Sequence, residues 1–182
     1  MTTTNRRNRI KDTLWVFNSP KYMRKIRSTP PFSQVKRALV FMGLHLYQQQ
    51  SKRIETYCEE LRKSGLQVLQ VVLYPTRDPK TISVQQSSDN LHMCLKDITF
   101  LGFPQKTILD KLNAYNADIF INLNGDFAYS DMGFAISSAA PYRISPYQKE
   151  YQPYFNILFR SRTEEDLDAY LLRITDFFKH LT

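Results

Sequence analysis

The sequence predicts a three-layer α/β domain built on a mostly parallel sheet and preceded by a basic N-terminal arm. An unbroken apolar run at residues 38–42 is typical of a strand that is buried on both faces, and the largely apolar run at residues 66–74 predicts a second strand. Segments of 11–18 residues with a single apolar stripe alternate with the strands and indicate helices. This alternation favours right-handed crossovers and a Rossmann-like sheet of five or six strands.

Each element depends on a local signal. Pro30 and Pro31 end the arm, because adjacent prolines force extended backbone. Gly65 closes the first helix of the body, and Thr163 with Asp166 predicts a capping box at the start of the last one. The predicted strands are 38–42, 66–74, 96–101, 118–123, 142–145 and 154–160, with a polar loop at 76–92 and helices at 48–64, 105–116, 128–139 and 163–180.

The length suits one domain with an appendage, since 182 residues can form a core without disulfide bonds. We place the basic arm at residues 1–36 and a single α/β domain at residues 37–182. Apolar strand positions and the stripe of the last helix predict the core. The side chains expected to be buried are Val40, Val71, Ile119, Ile121, Ile157 and Leu171.

The positive charge is concentrated in the arm. Residues 1–37 hold ten basic side chains and one acidic one, a net charge of +9, while the remainder holds 15 basic and 16 acidic residues. Such an arm can bind a polyanion, either nucleic acid or an anionic lipid surface, or it can be a solubilising extension without a ligand. The polyanion-binding candidates are Arg6, Arg7, Arg9, Lys11, Arg24, Lys25 and Arg27.

The cellular compartment is predicted from the cysteines and the N-terminus. Cys58 and Cys94 do not form a disulfide framework in a chain of this length. The N-terminus lacks the apolar core of a signal peptide, and no run of about 18 apolar residues could span a membrane. We therefore expect a cytoplasmic protein without a transmembrane segment.

Five segments carry a resemblance to a known group of proteins. They are residues 96–104, 117–124, 135–140, 142–144 and 154–158, followed by a final amphipathic helix. In combination they resemble a family of short bacterial proteins of unassigned activity, found mainly in Bacteroidetes. The resemblance covers residues 37–182, and it implies an α/β fold without implying any chemistry.

A second resemblance depends on the segment from Asp118 to Leu123, the small-residue helix after it, and Arg143-Ile144. This pattern is similar to the N-terminal domain of heptosyltransferase-like glycosyltransferases. The chain departs from them because it is too short for their second, nucleotide-sugar-binding domain. It also has Gly43-Leu44-His45 where they carry a glycine-rich turn. The resemblance therefore implies a shared fold pattern.

Ligands of open α/β sheets bind at the carboxyl ends of the strands, and that rule selects the candidate site. His45 is a candidate general base and Asp126 its orienting partner; the candidate ligand-binding residues are Tyr47, Asn122 and Asn124. The alternative is that His45 bonds a loop carbonyl and Asp126 completes an ordinary Asn-Gly-Asp turn. No phosphate-binding glycine motif or nucleophile elbow occurs, and the three histidines are far apart, so we predict neither a cofactor nor a metal.

Three functions remain open at this point. The lack of a catalytic signature favours a non-catalytic α/β binding or interaction module. The alternative is a small-molecule enzyme, such as a degenerate nucleotide-sugar or phosphate-ester enzyme that uses the strand-end crevice. A second alternative is nucleic-acid binding through the arm.

Overall fold

The structure is a computed structural model that describes residues 3–23, 29–78, 80, 87–160 and 167–179, with side chains from residue 10 onward. The helices are α1 (Thr3–Tyr22), α2 (Leu44–Lys63), α3 (Lys106–Tyr115), α4 (Tyr129–Ser137) and α5 (Leu167–Lys179). The strands are β1 (Arg37–Gly43), β2 (Gln67–Tyr74), β3 (Asn90–Cys94), β4 (Ile119–Asn122), β5 (Tyr142–Pro146) and β6 (Ile157–Phe159). Short 3-10 helices lie at Phe32–Gln34 and Lys149–Tyr151.

The strands form one parallel sheet in the order β3-β2-β1-β4-β5-β6. The chain begins in the middle at β1, winds outward to β3, and returns beside β1 as β4. In that pairing Ala38 lies opposite Ile119, and Phe41 lies opposite Asn122. The six-stranded sheet confirms the predicted Rossmann-like α/β class.

The sheet has a hydrophobic core on each face, because successive side chains of a strand point to opposite sides. On one face Phe41 and Phe120 pack with residues of α1, α3 and α4. On the other face Val40 and Ile121 pack with residues of α2 and α5. The two helical layers and the sheet between them are the three predicted layers.

Five of the six predicted core side chains are buried, and one is not. The buried ones are Val40, Val71, Ile119, Ile121 and Leu171. Ile157 is partly exposed, because it lies on β6, a strand of three residues at the edge of the sheet.

The prediction of a third strand at residues 96–101 is wrong. That segment forms turns, which a short bridge between Ile98 and Pro104 closes. The strand lies earlier, at β3, which begins at the end of the segment 76–92 predicted to be a polar loop and extends two residues beyond it. His92 is buried there, and its Nδ1 lies 3.1 Å from the Tyr74 hydroxyl, so the imidazole is accommodated in a covered strand. Because His92 interrupts the apolar pattern of this segment, the sequence did not indicate a buried strand there.

Other elements keep their predicted type and differ in length. The strand predicted at 154–160 is three residues long, and the small-residue helix predicted at 128–139 is Tyr129–Ser137. Thr163 and Asp166, the predicted capping box of the last helix, lie outside the described residues.

The helix α1 lies against the body through its aromatic side chains. Trp15 is 1% exposed, stacks on Phe103 at 5.0 Å between ring centroids, and meets the edge of Tyr154 at 4.7 Å. Tyr22 stacks on the same Phe103 ring at 4.2 Å. In contrast, Phe17 is 74% exposed. No helix among the described residues is long and apolar enough to cross a membrane.

Candidate functional site

The carboxyl ends of β1 and β4 meet at the point where the direction of winding reverses. The backbone N–H of Gly43, at the end of β1, donates to Oδ1 of Asn124 at 2.8 Å. Asn122 ends β4, is fully buried, and accepts the backbone N–H of Asn124 at 3.1 Å through its side-chain oxygen. These bonds join the two loops where a Rossmann-like sheet ordinarily offers a crevice.

A buried carboxylate lies at the centre of this region. Asp131 is completely buried in the first turn of α4. Its oxygens accept hydrogen bonds from Tyr151 Oη at 2.5 Å, Asn122 Nδ2 at 3.1 Å and Asn124 Nδ2 at 3.0 Å. Asn122 Nδ2 also lies 3.1 Å from Ser145 Oγ, which brings β5 into the cluster. We call these five residues the Asp131 network.

Local sequence explains why the carboxylate sits there. The remainder of α4 is apolar or small, so the helix packs flat on the sheet and carries Asp131 into the interior. The N-terminus of a helix favours a negative charge, which partly offsets the cost of burial. Tyr151 reaches the carboxylate from the 3-10 helix Lys149–Tyr151 and is itself fully buried. The network therefore joins β4, β5, α4 and this turn.

Burial raises the pKa of Asp131 from 3.8 to about 6, although the hydrogen bonds from Tyr151, Asn124 and Asn122 favour the charged form. The network can also accommodate the protonated acid. Tyr151 Oη lies 3.2 Å from the carbonyl oxygen of Asp126. If Asp131 donates a proton to Tyr151, the hydroxyl can turn and donate to that carbonyl.

We expect Asp131 to make stability depend on pH. Because its native pKa is higher than its unfolded one, its contribution is fully present well below pH 3.8 and is lost as the pH rises through about 6. The free energy of unfolding of the wild type relative to Asp131→Asn should fall by about 2.4 kcal/mol between pH 4 and pH 7. Urea unfolding of both proteins across this range measures the difference.

A second variant makes the pH test specific. Tyr151→Phe removes a hydrogen bond that stabilises the carboxylate, so the fall relative to Asp131→Asn should extend to higher pH than in the wild type. If the curves of the wild type and Asp131→Asn run parallel from pH 4 to pH 7, Asp131 does not titrate in this way.

The structure brings some of the predicted site residues together and separates others. Asn122 and Asn124 meet in the Asp131 network. Tyr47 faces away from it, because its ring lies against His92 of β3, on the other side of β1, at 6.0 Å between centroids. His45 and Asp126 are both exposed and form neither a hydrogen bond nor an ion pair with each other. Their catalytic pairing remains a prediction.

The predicted polyanion-binding residues are described only in part. Lys11 lies over the Tyr129 ring at 4.3 Å and the Phe100 ring at 5.3 Å, so it faces the body. The others fall into two groups: Arg6, Arg7 and Arg9 have only their backbone on α1 described, and Arg24, Lys25 and Arg27 lie outside the described residues. Their role therefore remains a prediction.

Sequence reasoning missed the centre of the site. Neither Asp131 nor Tyr151 was predicted to be a site residue. The available signal was an acidic residue inside an otherwise apolar helix, because such a carboxylate is buried and needs donors. Among the described residues, no group of three or more His, Cys, Asp or Glu side chains could hold a metal ion.

Comparisons with known proteins bear on the class of fold. No protein-family model matches the chain, and no curated protein sequence matches it. Among solved structures, the chain is similar to a glycosyl transferase family 9 protein from Veillonella parvula DSM 2008, with a TM-score of 0.51 and 16% identity. The match covers 79% of this chain and 41% of that one, so the chain spans less than half of its neighbour's length.

This likeness defines a class of fold. At 16% identity it shows the α/β architecture alone, and it confirms at that level the predicted similarity to heptosyltransferase-like glycosyltransferases. Because a fold does not imply a function, the function must be argued from the surfaces of the molecule.

Proposed function

We propose that the protein is a non-catalytic α/β binding module that attaches to an anionic membrane surface through α1. The outward face of α1 carries this proposal, because apolar side chains remain exposed there within a strongly basic segment. Ile10, Leu14 and Phe17 are 57%, 42% and 74% exposed. Their spacing of four and then three residues places them on one face of the helix.

The opposite face of α1 is already occupied by the body. Trp15 and Ser19 are buried, and Tyr22 stacks on Phe103. The helix therefore cannot rotate to bury Phe17 without exposing Trp15. An apolar stripe that the fold leaves in solvent marks an interaction surface.

Charge favours an anionic lipid surface as the partner. Residues 1–37 have a net charge of +9, so a second copy of the chain would meet this segment with electrostatic repulsion. Each basic residue near an anionic membrane contributes about 1 kcal/mol. Nucleic acid would also neutralise the charge, but its phosphates offer no apolar surface to Ile10 and Leu14. A lipid interface accommodates both kinds of side chain.

The strand-end region supports a binding role over a catalytic one. The polar atoms of the Asp131 network are engaged with one another, and Phe127 packs beside Tyr151 at 5.6 Å between ring centroids. Cys58 and Cys94 are free and buried, which fits the reducing cytoplasmic side of a membrane. We therefore propose a cytoplasmic location at the inner surface.

The proposal predicts that Phe17→Ala weakens binding to vesicles by about tenfold, because burying a phenylalanine side chain contributes about 1.5–3 kcal/mol. Its exposure in the free protein means that stability should hardly change. Co-sedimentation with vesicles of phosphatidylcholine and phosphatidylserine, with thermal unfolding in parallel, measures both quantities. Point variants are preferable to deletion of the arm, since Trp15 belongs to the core.

The matched control is Leu172→Ala. Leu172 is 58% exposed on α5, whose core lies on the face of the sheet opposite α1. Its loss should leave vesicle binding unchanged. Binding should also fall steeply with salt and disappear on neutral vesicles. The proposal fails if the wild type does not bind anionic vesicles, or if Phe17→Ala and Leu172→Ala weaken binding equally.

The remaining alternatives are distinguished by other ligands. An enzyme of the nucleotide-sugar or phosphate-ester type is favoured by the fold of the glycosyl transferase neighbour, and it would use His45 and Asp126 at the strand-end rim. A rise in melting temperature with nucleotides or nucleotide sugars supports that alternative. Salt-sensitive binding to DNA that Phe17→Ala leaves intact supports nucleic-acid recognition instead.

A further inference from the structure

An exposed phenylalanine lies at the tip of a turn between β3 and α3. The Gly102 N–H donates to the Thr99 carbonyl oxygen at 2.9 Å, and the Thr99 N–H donates to the Phe103 carbonyl oxygen at 2.7 Å. We call residues 99–103 the Phe100 turn. Phe100 is 77% exposed, more than any other large apolar side chain that the structure describes. A single exposed apolar side chain needs no explanation, but this one adjoins the exposed stripe of α1.

Lys11 connects the Phe100 turn to α1. Its ammonium group lies 5.3 Å from the centre of the Phe100 ring and 4.3 Å from that of the Tyr129 ring, within the range of a cation–π contact. Leu14 comes three residues after Lys11 and is therefore its neighbour on the helix surface. Phe100 thus lies beside the exposed apolar stripe of α1, and the two form one surface with a positive charge between them.

The base of the Phe100 turn is held tightly by α1 and α4. Phe103 is fully buried, and the rings of Trp15 and Tyr22 stack on it at 5.0 and 4.2 Å between centroids. Gly102 lies so close to α4 that a Cβ there would be 2.6 Å from the backbone nitrogen of Ser130. The tip of the turn is therefore held at a fixed place beside α1, and a partner that contacts both does not have to order either of them.

The charges beside the turn favour an anionic lipid surface as the partner. Lys11 lies over the exposed ring at its tip, and Lys96, four residues before that ring, is exposed. The carboxylates nearest to them in sequence accept hydrogen bonds: Asp12 from the Tyr129 hydroxyl, and Asp97 from the backbone N–H three residues earlier, at 2.7 Å. A lipid interface accommodates ammonium groups at its phosphates and a phenyl ring at the start of its acyl chains.

We propose that Phe100 is a second membrane-inserting side chain, which acts with the exposed stripe of α1 to hold the protein on an anionic lipid surface in one orientation. The inference rests on the proposed attachment through α1 and adds a contact from the body of the domain. A single helix lying on a membrane leaves the protein free to roll about the helix axis, and a contact beside that axis prevents this. In the resulting orientation α2 and α5, which cover the other face of the sheet, point away from the membrane.

The first test measures affinity for vesicles of phosphatidylcholine and phosphatidylserine by co-sedimentation of the full-length protein. Phe100→Ala should weaken binding by about tenfold, because one aromatic side chain is no longer buried in the lipid. Phe100→Leu should keep most of the affinity, since it keeps an apolar side chain. Phe17→Ala combined with Phe100→Ala should weaken binding by about a hundredfold, because separate contributions to the free energy add. Phe100 is 77% exposed, so the melting temperatures should hardly change.

The second test observes insertion directly. Cys58 and Cys94 are buried, so a thiol-reactive nitrobenzoxadiazole dye can be attached to Phe100→Cys in the folded protein. On anionic vesicles its emission should shift to the blue, and lipids that carry a quencher on the acyl chain should quench it. The same dye on Leu172→Cys should show neither change, because α5 lies on the far side of the sheet. This measurement decides the matter even if Phe100→Ala alters stability.

The outcomes distinguish this inference from the attachment on which it rests. If Phe17→Ala weakens vesicle binding and Phe100→Ala does not, or if the dye at position 100 stays in water on the bound protein, the inference is wrong and the attachment through α1 stands. If the wild type does not bind anionic vesicles, both are wrong. If Phe100→Ala instead reduces self-association in sedimentation velocity, or binding to single-stranded DNA, the partner of Phe100 is a second copy or a nucleic acid, and a lipid contact is ruled out.

Discussion

Replacing Trp15 by alanine should lower the free energy of unfolding by about 3–5 kcal/mol, the cost of deleting a large buried aromatic side chain. Trp15 is 1% exposed and lies between Phe103 and Tyr154, with ring centroids at 5.0 and 4.7 Å. The substitution would leave a cavity between α1 and the body and would remove both aromatic contacts. Urea unfolding followed by circular dichroism measures the loss.

The chain contains a single tryptophan, so its fluorescence reports on this contact alone. Emission of the native protein should be shifted to the blue and protected from acrylamide quenching. Phe17→Ala is the matched control, because Phe17 lies two residues away on the same helix and is 74% exposed. It should change stability by no more than about 0.5 kcal/mol. Equal small losses in the two variants would mean that α1 is not docked in solution.

This result bears on the predicted domain boundary. The sequence suggested an arm of residues 1–36 and a body of residues 37–182, because charge and the proline pair change there. Charged residues indicate which parts of a segment are exposed to solvent, and one side of α1 is exposed. A large loss of stability in Trp15→Ala would show that α1 folds as part of the domain. The predicted boundary at residue 36 would then mark a change in charge and not a boundary between folding units.

Much of the fold could be predicted, because fully buried strands have a strong local signal. The runs that became β1 and β2 are apolar at nearly every position, and a helical stripe with a closing Gly65 separates them. β3 gave no such signal. It includes two polar residues, Asn90 and His92, and His92 is buried beside the Tyr74 hydroxyl of β2. Local patterns do not reveal that a polar residue will be buried next to a partner distant in sequence.

The candidate site was likewise predicted only in part. Asn122 and Asn124 were found because the strand-end rule depends on position in the sheet, which the sequence pattern supplies. Tyr151 follows a polar turn and shows no pattern, and it reaches Asp131 only because the fold brings the two together. Tyr47 was predicted to bind a ligand together with Asn122 and Asn124 because it follows β1. The first turn of α2 instead directs its ring toward β3.

Gly102→Ala should lower the free energy of unfolding by about 2–5 kcal/mol. Gly102 has a φ of +86°, a conformation that costs an L-residue about 1–2 kcal/mol. A Cβ there would also lie 2.6 Å from the backbone nitrogen of Ser130 and 2.8 Å from the carbonyl carbon of Tyr129. These atoms are backbone at the start of α4 and cannot rotate aside, so overpacking adds about 1–3 kcal/mol. Urea unfolding measures the total.

Gly65→Ala separates the two causes, because Gly65 has a φ of +93° and open space around its Cβ position. Gly65→Ala should lower the free energy of unfolding only by the cost of the backbone conformation. The difference between the two variants therefore measures the contact of residue 102 with α4. The same contact exists in reverse, since a Cβ on Gly133 would lie 2.5 Å from the Gly102 carbonyl oxygen. Two glycines thus let the turn after β3 lie directly on the helix that carries Asp131. Equal losses in Gly102→Ala and Gly65→Ala would show that this turn can move away from α4, and that the position of Asp131 does not depend on it.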